Sequence, residues 1–396
     1  MSLTGILPPL RAVLVLQFLS ALADNMLLFI VQAVLVRDQY PAYYLSLVQS
    51  MYLLSYIVAS PWVGLLADSI PKKRVLLLGN CIKTVTLLFL LLKINPAASY
   101  LFFGLGSVIF SPGKYGILPF LTTDDQELVR ANSWLEGTTM IAILLGSLLG
   151  GWLSDHSILL SVGLASALYG LAVLISLLVP SNASVQQVPM KKAVQNFIGD
   201  VRFFLRHPTG RFSVLGSAYF WVAISILRLA IFIWAPLALG LTGNTPVSLL
   251  IGLIGIGMGI GAFAAPYVIS IKTYRRAVYF GLVMAVASLI LPLLQNLAVT
   301  LIILFLCGIL GGMYIVPVNS LNESIGDATI GAGRGIAVQN FAENSLMLAG
   351  TSLYTFSTRS GVSVETNILA TGAVFLLLML HLMYLSRPQA AKEPQE

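Results

Sequence analysis

Apolar runs of roughly 20 residues recur along the whole chain, and they limit its fold more than any other feature. Each run is long enough to cross the about 30 Å hydrocarbon core of a bilayer as an α-helix. Only 9% of the 396 residues are Asp, Glu, Lys or Arg, whereas soluble domains contain about 25%. A transmembrane β-barrel would instead show alternating segments of about ten residues. The sequence therefore predicts an all-α polytopic membrane protein.

The pattern predicts twelve spans, several of them joined by connections so short that neighbouring helices must be antiparallel. The predicted spans are 11–36, 42–67, 74–93, 98–121, 130–153, 157–180, 211–239, 246–270, 276–295, 297–320, 335–358 and 363–386.

Lysines and arginines collect on one side of these spans. If the N-terminus is cytoplasmic, sixteen of the 22 basic residues lie on the cytoplasmic side, and only Arg37, Lys93 and Arg359 lie outside. Cytoplasmic loops of membrane proteins carry such an excess of positive charge. We therefore expect both termini in the cytoplasm, and we explain the net charge of +7 by membrane topology rather than by nucleic-acid binding.

The longest polar insert divides the spans into six plus six. We predict an N-terminal six-helix bundle over 1–180, a cytoplasmic linker over 181–210 and a C-terminal six-helix bundle with a short cytoplasmic tail over 211–396. Within the linker, residues 194–206 can form an amphipathic helix along the membrane face. Similar segments, "RANSWLEGTTMIAILLGS" and "RGIAVQNFAENSLMLAGTS", open spans five and eleven, and they favour duplicated halves.

The loop after span two, "GLLADSIPKKR", resembles the signature of the major facilitator superfamily. The resemblance implies the fold of two six-helix bundles and a charged latch that holds them in one state. Proline stands at position 71, where the family usually has glycine, and an ordinary basic loop is the alternative reading. The predicted gating residues are Gly64, Asp68, Lys72, Lys73 and Arg74.

Six ionisable residues lie inside the predicted spans: Asp24, Lys83, Lys114, Glu136, Arg228 and Glu343. Charges in a membrane are costly and normally face a cavity or an opposite charge. Lys114 and Glu136 lie at similar depth on consecutive spans, so a salt bridge between them is expected. Lys83 is close enough to the interface for its ammonium to extend to the cytoplasmic surface.

Polar stripes run along spans one and eleven. The first contains Gln17, Asp24 and Gln32, with Asn25 beside it, and the second contains Gln339 to Asn344. Together with the buried cations they can hold a zwitterionic or phosphate-bearing head group, although Asn and Gln often only join helices. The predicted substrate-binding residues are Asp24, Asn25, Lys114, Tyr115, Glu136, Arg228, Asn340, Glu343 and Asn344.

Proline and glycine surround Lys114 in "FSPGKYGILP". Pro112 removes a backbone donor, while Gly113 and Gly116 remove bulk, so we expect span four to be irregular there. The ammonium then turns into a cavity or extends to the cytoplasmic surface. The glycine run at 251–263 lies in mid-membrane with no preceding strand, so it predicts close helix packing rather than a nucleotide loop.

Three strings resemble the bacterial lysophospholipid transporter family: "QFLSALADNMLLF", "FSPGKYGILPFLTT" and "IAVQNFAENSLML". The resemblance implies a flippase-like importer that moves lysophospholipids, chiefly lysophosphatidylethanolamine and lysophosphatidylglycerol, to the inner leaflet of the bacterial inner membrane. It also implies a cytoplasmic acyltransferase–acyl-ACP synthetase that re-acylates them. Because the chain ends soon after span twelve, we expect that enzyme to be separate.

Two other functions compete with this interpretation. A proton-coupled exporter of drugs or siderophores would use the same fold and the same carboxylates. A membrane-bound acyltransferase would need an HxxxxD box, which none of the three histidines begins, so we expect no catalytic residues. Neither a cofactor nor a metal site is suggested, and the coupling ion, sodium or proton, stays open. We expect a monomer.

Overall fold

The computed structural model describes residues 9–41, 43–181, 190–241 and 244–386, and every regular element in these ranges is helical. Short 3-10 helices lie at Met190–Lys192, Ile271–Arg276 and Leu291–Leu293. The α-helices are α1 (Pro9–Arg37), α2 (Tyr43–Ser69), α3 (Lys72–Leu91), α4 (Pro96–Gly116), α5 (Leu118–Leu121), α6 (Asp125–His156), α7 (Ile158–Ser176), α8 (Ala193–Arg206), α9 (Pro208–Leu239), α10 (Asn244–Val268), α11 (Ala277–Ile290), α12 (Leu297–Ala328), α13 (Ala332–Arg359) and α14 (Val364–Leu385).

The twelve predicted spans are confirmed, and one of them is unusual. Within the described ranges, eleven segments are both long and apolar enough to cross a membrane. The twelfth is α13, which has 28 residues but carries the polar run from Gln339 to Asn344. A helix this polar is stable in a bilayer only when its polar side faces protein or a water-filled cavity.

Helix contacts in the first half of the chain repeat six spans later. In the first half, α1 packs against α6 and α7, α2 against α4, and α3 against α7. In the second half, α9 packs against α13 and α14, α10 against α12, and α11 against α14. The packing thus has the same six-span repeat as the sequence, while the boundaries proposed for the two bundles and the linker stay a prediction.

The end of the bundle where α2 ends and α13 begins is called the basic end here, after Lys72, Lys73 and Arg74. The predicted amphipathic linker helix is confirmed as α8 and lies at this end. Its apolar side buries Phe197 and Phe204 against Ala337 of α13 and Val214 of α9. The first part of the predicted linker, residues 182–189, lies outside the described residues.

Glycines bring α10 and α12 into backbone contact. A Cβ atom on Gly261 would lie 1.9 Å from the carbonyl oxygen of Ile309, and one on Gly312 would lie 2.2 Å from that of Met258. Such distances leave no room for any side chain at either position. The structural role predicted for the glycine run is therefore supported.

The helix around Lys114 differs from the expectation. Helix α4 runs without interruption through Pro112 and Lys114 to Gly116, and the break comes at Ile117, before the short α5. Gly113 packs against α3, where an added Cβ would lie 3.1 Å from the Leu76 side chain. The prolines and glycines thus fit α4 tightly against α3 and end it soon after Lys114.

Replacement of Gly261 by alanine tests the contact between α10 and α12. We expect Gly261→Ala to reduce the yield of monodisperse protein and its thermal stability, because the new methyl group meets backbone atoms that cannot move aside. Overpacking of this kind typically costs about 1–3 kcal/mol.

The matched control is Gly255→Ala in the same helix, where the nearest atom to an added Cβ is a Leu144 methyl carbon at 3.7 Å. This change should be neutral or stabilising, since alanine favours a helix over glycine by about 1 kcal/mol. The two substitutions are compared by fluorescence-detected gel filtration after heating. Equal effects would contradict the close backbone contact between α10 and α12 at Gly261.

Candidate functional site

A cavity of about 200 Å³ lies between the two halves, bounded by α2 and α4 on one side and by α9, α12 and α13 on the other. Of the nine predicted substrate-binding residues, five line it: Lys114, Tyr115, Asn340, Glu343 and Asn344. The other lining residues are Tyr52, Tyr56, Ser111, Trp221, Asn319, Glu323, Ile336, Gln339 and Met347. The polar side of α13 therefore faces this cavity.

Lys114 carries a cation into the cavity. Its Nζ lies 4.4 Å from the ring centroid of Tyr115, an arrangement that favours a cation–π interaction. No carboxylate of the described residues lies within 4.0 Å of it. The expected salt bridge with Glu136 is therefore not formed, because that carboxylate accepts hydrogen bonds from the Tyr115 hydroxyl at 2.7 Å and the Asn319 amide at 3.2 Å.

Amide side chains connect the two carboxylates near the cavity. The Gln339 amide donates to Glu343 at 2.8 Å and to the Asn319 side-chain oxygen at 2.8 Å. Asn319 in turn donates to Glu136, and the Ser217 hydroxyl donates to Glu343. Glu136 and Glu343 thus belong to one network, although only Glu343 lines the cavity. Sequence reasoning missed Asn319 and Ser217, which are ordinary polar residues within apolar runs.

The two asparagines of α13 differ in role. The Asn340 amide donates to the Ser111 hydroxyl of α4 at 2.9 Å and so joins the two halves of the chain. The Asn344 amide donates to the Asn340 carbonyl one turn earlier in the same helix, at 2.8 Å. Asn344 therefore lines the cavity, and its amide bonds within its own helix rather than across helices.

Asp24 and Lys83 form an ion pair within the first half of the chain, at 2.7 Å. The Tyr169 hydroxyl donates to Asp24 at 2.7 Å, and Lys83 also reaches the Ser20 hydroxyl at 3.1 Å. The expectation that Lys83 extends to the cytoplasmic surface is wrong, because its side chain is only 1% exposed. The Asp24 side chain remains 26% exposed.

Asn25 and Arg228 also lie outside the cavity lining. The Asn25 amide donates to the Ala21 carbonyl of its own helix at 2.8 Å. Arg228 is exposed and follows Trp221 by seven residues on α9, so both lie on one face, about 10 Å apart along the axis. Since Trp221 lines the cavity, Arg228 lies on the same side of α9 farther from the basic end.

Glu323 is a buried carboxyl that the span prediction missed. Helix α12 continues to Ala328, eight residues beyond the predicted end at 320, and Glu323 is 1% exposed. The Asn132 amide of α6 donates to it at 2.7 Å. Every residue of α12 from Tyr314 to Glu323 is buried, and this burial comes from packing between helices, so the sequence offered no periodic signal for it.

Asp68 closes the basic end of the bundle. Its carboxylate accepts hydrogen bonds from the Gly333 and Arg334 amides at 2.9 Å each and from Lys72 at 2.6 Å. It therefore caps the N-terminus of α13, where a negative charge is favourable. An added Cβ at Gly64 would lie 2.8 Å from the Ala337 Cβ, so glycine is needed for this approach of α2 to α13.

Other charges of the basic end extend this contact. The Arg334 guanidinium donates to Asp200 of α8, so the linker helix is bound to α13. Burial raises the pKa of the Asp200 carboxyl, and the nearby guanidinium opposes this effect. Lys73 donates to the Leu177 carbonyl at 2.6 Å, which ties α3 to the end of α7. Arg74 is exposed.

A second pair of helices closes the same end. Helix α6 packs against α10, and the Gln126 side chain donates to the Pro266 carbonyl at 2.6 Å. This contact corresponds to that of α2 with α13 under the six-span repeat. The floor of the cavity is its side nearer the basic end. Among the described residues, the hydrogen bonds that join the two halves lie between the basic end and this floor.

Comparisons with known proteins agree on one family. Residues 13–351 match the family model of the Major Facilitator Superfamily. The chain is 36% identical over 383 residues to "Lysophospholipid transporter LplT" of Photorhabdus laumondii, covering 96% of each sequence. It is 37% identical over 374 residues to the protein of that name from Enterobacter sp. (strain 638), covering 93% of each.

Solved structures of low sequence identity share the fold. The fucose:proton symporter FucP of E. coli, solved as a single-residue variant, has a TM-score of 0.75 at 14% identity, with 96% of this chain and 98% of that chain covered. The human organic anion transporter MFSD10 has a TM-score of 0.74 at 16% identity, with 96% and 100% covered. A bacterial homologue of ferroportin in an outward-facing state has a TM-score of 0.70 at 17% identity, with 96% and 98% covered.

Removal of the Asp68 carboxylate should open the basic end. Hydrogen bonds to a charged group contribute about 1.5–3 kcal/mol each, so Asp68→Ala should shift the equilibrium between closed and open forms at least about tenfold. Spin labels on cysteines at the exposed positions Arg130 of α6 and Tyr267 of α10 report the change as a longer distance. Cys81 and Cys307 are replaced beforehand.

The control is Asp155→Asn, which alters an exposed carboxylate at the opposite end of α6. Its distance distribution should match that of the labelled parent protein. An unchanged distribution in Asp68→Ala would show that Asp68 does not hold the basic end closed.

Proposed function

Because the chain belongs to the lysophospholipid transporter family of the major facilitator superfamily, we propose that it moves lysophospholipids from the outer to the inner leaflet of the bacterial inner membrane. Lysophosphatidylethanolamine and lysophosphatidylglycerol are the proposed substrates. The cycle is alternating access, in which the cavity opens first to one side of the membrane and then to the other.

The observation that carries this proposal is the Lys114 ammonium, which forms no ion pair with the described residues and lines a cavity that also contains a carboxylate. The ammonium has no carboxylate of the described residues within 4.0 Å, and Glu343 lines the same cavity. A cation in a low-dielectric site without an ionic partner favours the arrival of an anion. A phosphate meets that requirement at Lys114, and the ammonium of an ethanolamine head group can approach Glu343.

The size of the cavity supports a head-group site rather than a site for the whole lipid. Its volume is about 200 Å³, which is less than the about 300–1,000 Å³ of pockets that enclose an entire drug-sized ligand. The acyl chain therefore lies outside the cavity, against apolar helix surfaces or lipid. Arg228, farther along α9, would meet the phosphate as the substrate enters.

We propose that the basic end is cytoplasmic, in keeping with the distribution of lysines and arginines. The structure then corresponds to an outward-facing state, since the hydrogen bonds between the halves lie between the basic end and the cavity floor. Both termini would be cytoplasmic. The contacts of Gly64, Asp68 and Lys72, with Lys73 and Arg74 beside them, would form the gate that opens to release substrate.

Several finer points belong to the same proposal. The imported lysolipid would be re-acylated by a cytoplasmic acyltransferase–acyl-ACP synthetase, and the transporter would act as a monomer without a cofactor. Asp24, Asn25, Glu136, Asn340 and Asn344 would assist head-group binding. The competing function, proton-coupled export of drugs or siderophores, is not favoured by the relatives found.

Transport in proteoliposomes tests the main proposal. Purified protein should move fluorescent or radiolabelled lysophosphatidylethanolamine between leaflets, and Lys114→Ala and Arg228→Ala should each lower the rate at least about tenfold. Loss of a charge-assisted hydrogen bond to phosphate, about 1.5–3 kcal/mol, corresponds to this factor. Lys93→Ala, at an exposed position beyond the end of α3, serves as the control.

The lysolipid proposal fails if the protein moves no lysolipid but exchanges protons for a hydrophilic drug. It also fails if the two substitutions leave the rate unchanged while gel filtration shows folded protein.

Substitution of Glu343 by glutamine tests the proposed contact with ammonium. We expect Glu343→Gln to slow lysophosphatidylethanolamine more than lysophosphatidylglycerol, because only the first head group carries a cation. The measurement is the ratio of the two transport rates in the same liposomes. An unchanged ratio would exclude an ionic contact between Glu343 and the ethanolamine group.

A further inference from the structure

Glu323 and Asn132 form a buried pair where α12 of the second half crosses α6 of the first. Glu323 is 1% exposed and Asn132 is fully buried. The Asn132 amide nitrogen donates to Oε2 of Glu323 at 2.7 Å and, more weakly, to the Leu128 carbonyl at 3.3 Å. Both N–H groups of the amide are therefore used. Glu323 also lines the cavity, so the pair lies next to it.

Two oxygen atoms of this pair have no hydrogen-bond partner among the described residues. They are Oε1 of Glu323 and Oδ1 of Asn132. An ionised carboxylate and an amide oxygen can only accept hydrogen bonds, so they cannot satisfy each other. A buried polar atom without a partner costs about 1–3 kcal/mol, and more when it is charged. An ionised Glu323 would therefore be strongly unfavourable here.

No cation of the described residues forms an ion pair with Glu323. In the described part of the chain, no lysine, arginine or histidine lies within 4.0 Å of its carboxyl group. The charged groups facing it are Lys114 of α4 and a second carboxylate, Glu136 of α6. The like charge of Glu136 opposes ionisation of Glu323, whereas the Lys114 ammonium, from beyond 4.0 Å, favours it.

The other helices around Glu323 add little charge. Helices α5, α10 and α11 contain no Asp, Glu, Lys, Arg or His. Helix α9 contributes Arg211 and Arg228, and α13 contributes Arg334 and Glu343, none of them as an ion-pair partner of Glu323. The basic residues of the 3-10 helix Ile271–Arg276 are exposed.

We infer that Glu323 and Asn132 form a proton-binding site, which holds one proton while the basic end is closed. The Asn132 amide nitrogen already donates to Oε2, and we expect a proton on Oε1 to be donated to Oδ1 of the same amide. One proton therefore satisfies both unpartnered oxygens and removes the buried charge. A metal cation fits less well, since hard cations such as Mg²⁺ and Ca²⁺ take about six or more oxygen ligands.

Proton binding at this site is coupled to the conformation of the transporter. The pair spans the two halves, so separation of α6 from α12 breaks it and admits water from the basic end. A glutamate in water is ionised at neutral pH, so the open form releases the proton. Because the closed form binds one more proton, lower pH favours the closed form. The open-to-closed ratio rises with pH, by up to about tenfold per pH unit for one proton.

The site does not depend on which substrate fills the cavity, so its tests need no lysolipid. The first is infrared spectroscopy of the purified protein at neutral pH. Wild type should show a protonated carboxyl C=O band that Glu323→Gln removes and that Asp155→Asn retains. If the wild-type and Glu323→Gln spectra are identical in this region, Glu323 is ionised and the inference is wrong.

The second test measures the distance between spin labels at Arg130 and Tyr267 as a function of pH. The labelled parent protein should open as pH rises, whereas Glu323→Gln should stay closed across the same range. Asp155→Asn should follow the parent. The inference is overturned if Glu323→Gln retains the pH dependence, or if replacement of choline by sodium, rather than pH, shifts the equilibrium.

If the glutamine variant does not fold, the pH dependence of the labelled parent protein still tests the inference. A parent protein whose distance distribution does not change between acidic and alkaline pH would then exclude the proposed site.

Discussion

The contact between Asp68 and the first amides of α13 is the interaction on which the closed basic end depends. A helix N-terminus has unpaired N–H groups, and in a membrane protein they must find acceptors. The Asp68 carboxylate, in the other half of the chain, is the acceptor for the Gly333 and Arg334 amides, at 2.9 Å each. Gly64, Gly331 and Gly333 leave the space that this approach requires, since an added Cβ at each would meet α13 or Asp68. The same contact places the polar face of α13 over the cavity.

The buried charges fall into groups with different physical roles. Asp24 and Lys83 neutralise each other within the first half of the chain. Asp68, Lys72, Arg334 and Asp200 join elements at the basic end. Lys114 is the cation that lines the cavity, and no carboxylate of the described residues lies within 4.0 Å of its ammonium. Glu323 is buried with only an amide as hydrogen-bond partner. The groups without ionic partners are the ones that lie between the halves, where substrate and protons would act.

Much of the architecture could be predicted from the sequence. Apolar length predicted the twelve spans, and the polar insert predicted helix α8 close to its observed bounds. The signature loop predicted a charged latch that includes Asp68, and in the structure Asp68 accepts hydrogen bonds from the first amides of α13. For the candidate site, the polar run of α13 and Lys114 were recognisable because polar residues in apolar helices are rare. The pairing of charges was not recognisable, since Lys83 and Lys114 have similar depth and only helix packing directs one to Asp24 and the other to the cavity.

The sequence by itself determined the all-α membrane fold, the six-span repeat and the polar residues available for a site, because hydrophobic length and the cost of buried charge act along a single helix. Only the tertiary structure decided which carboxylates are paired, where α12 ends, and which oxygens lack donors. Those properties depend on contacts between helices far apart in the chain, such as Asn132 with Glu323. A charge in a membrane must be compensated, but local sequence does not specify the partner that compensates it.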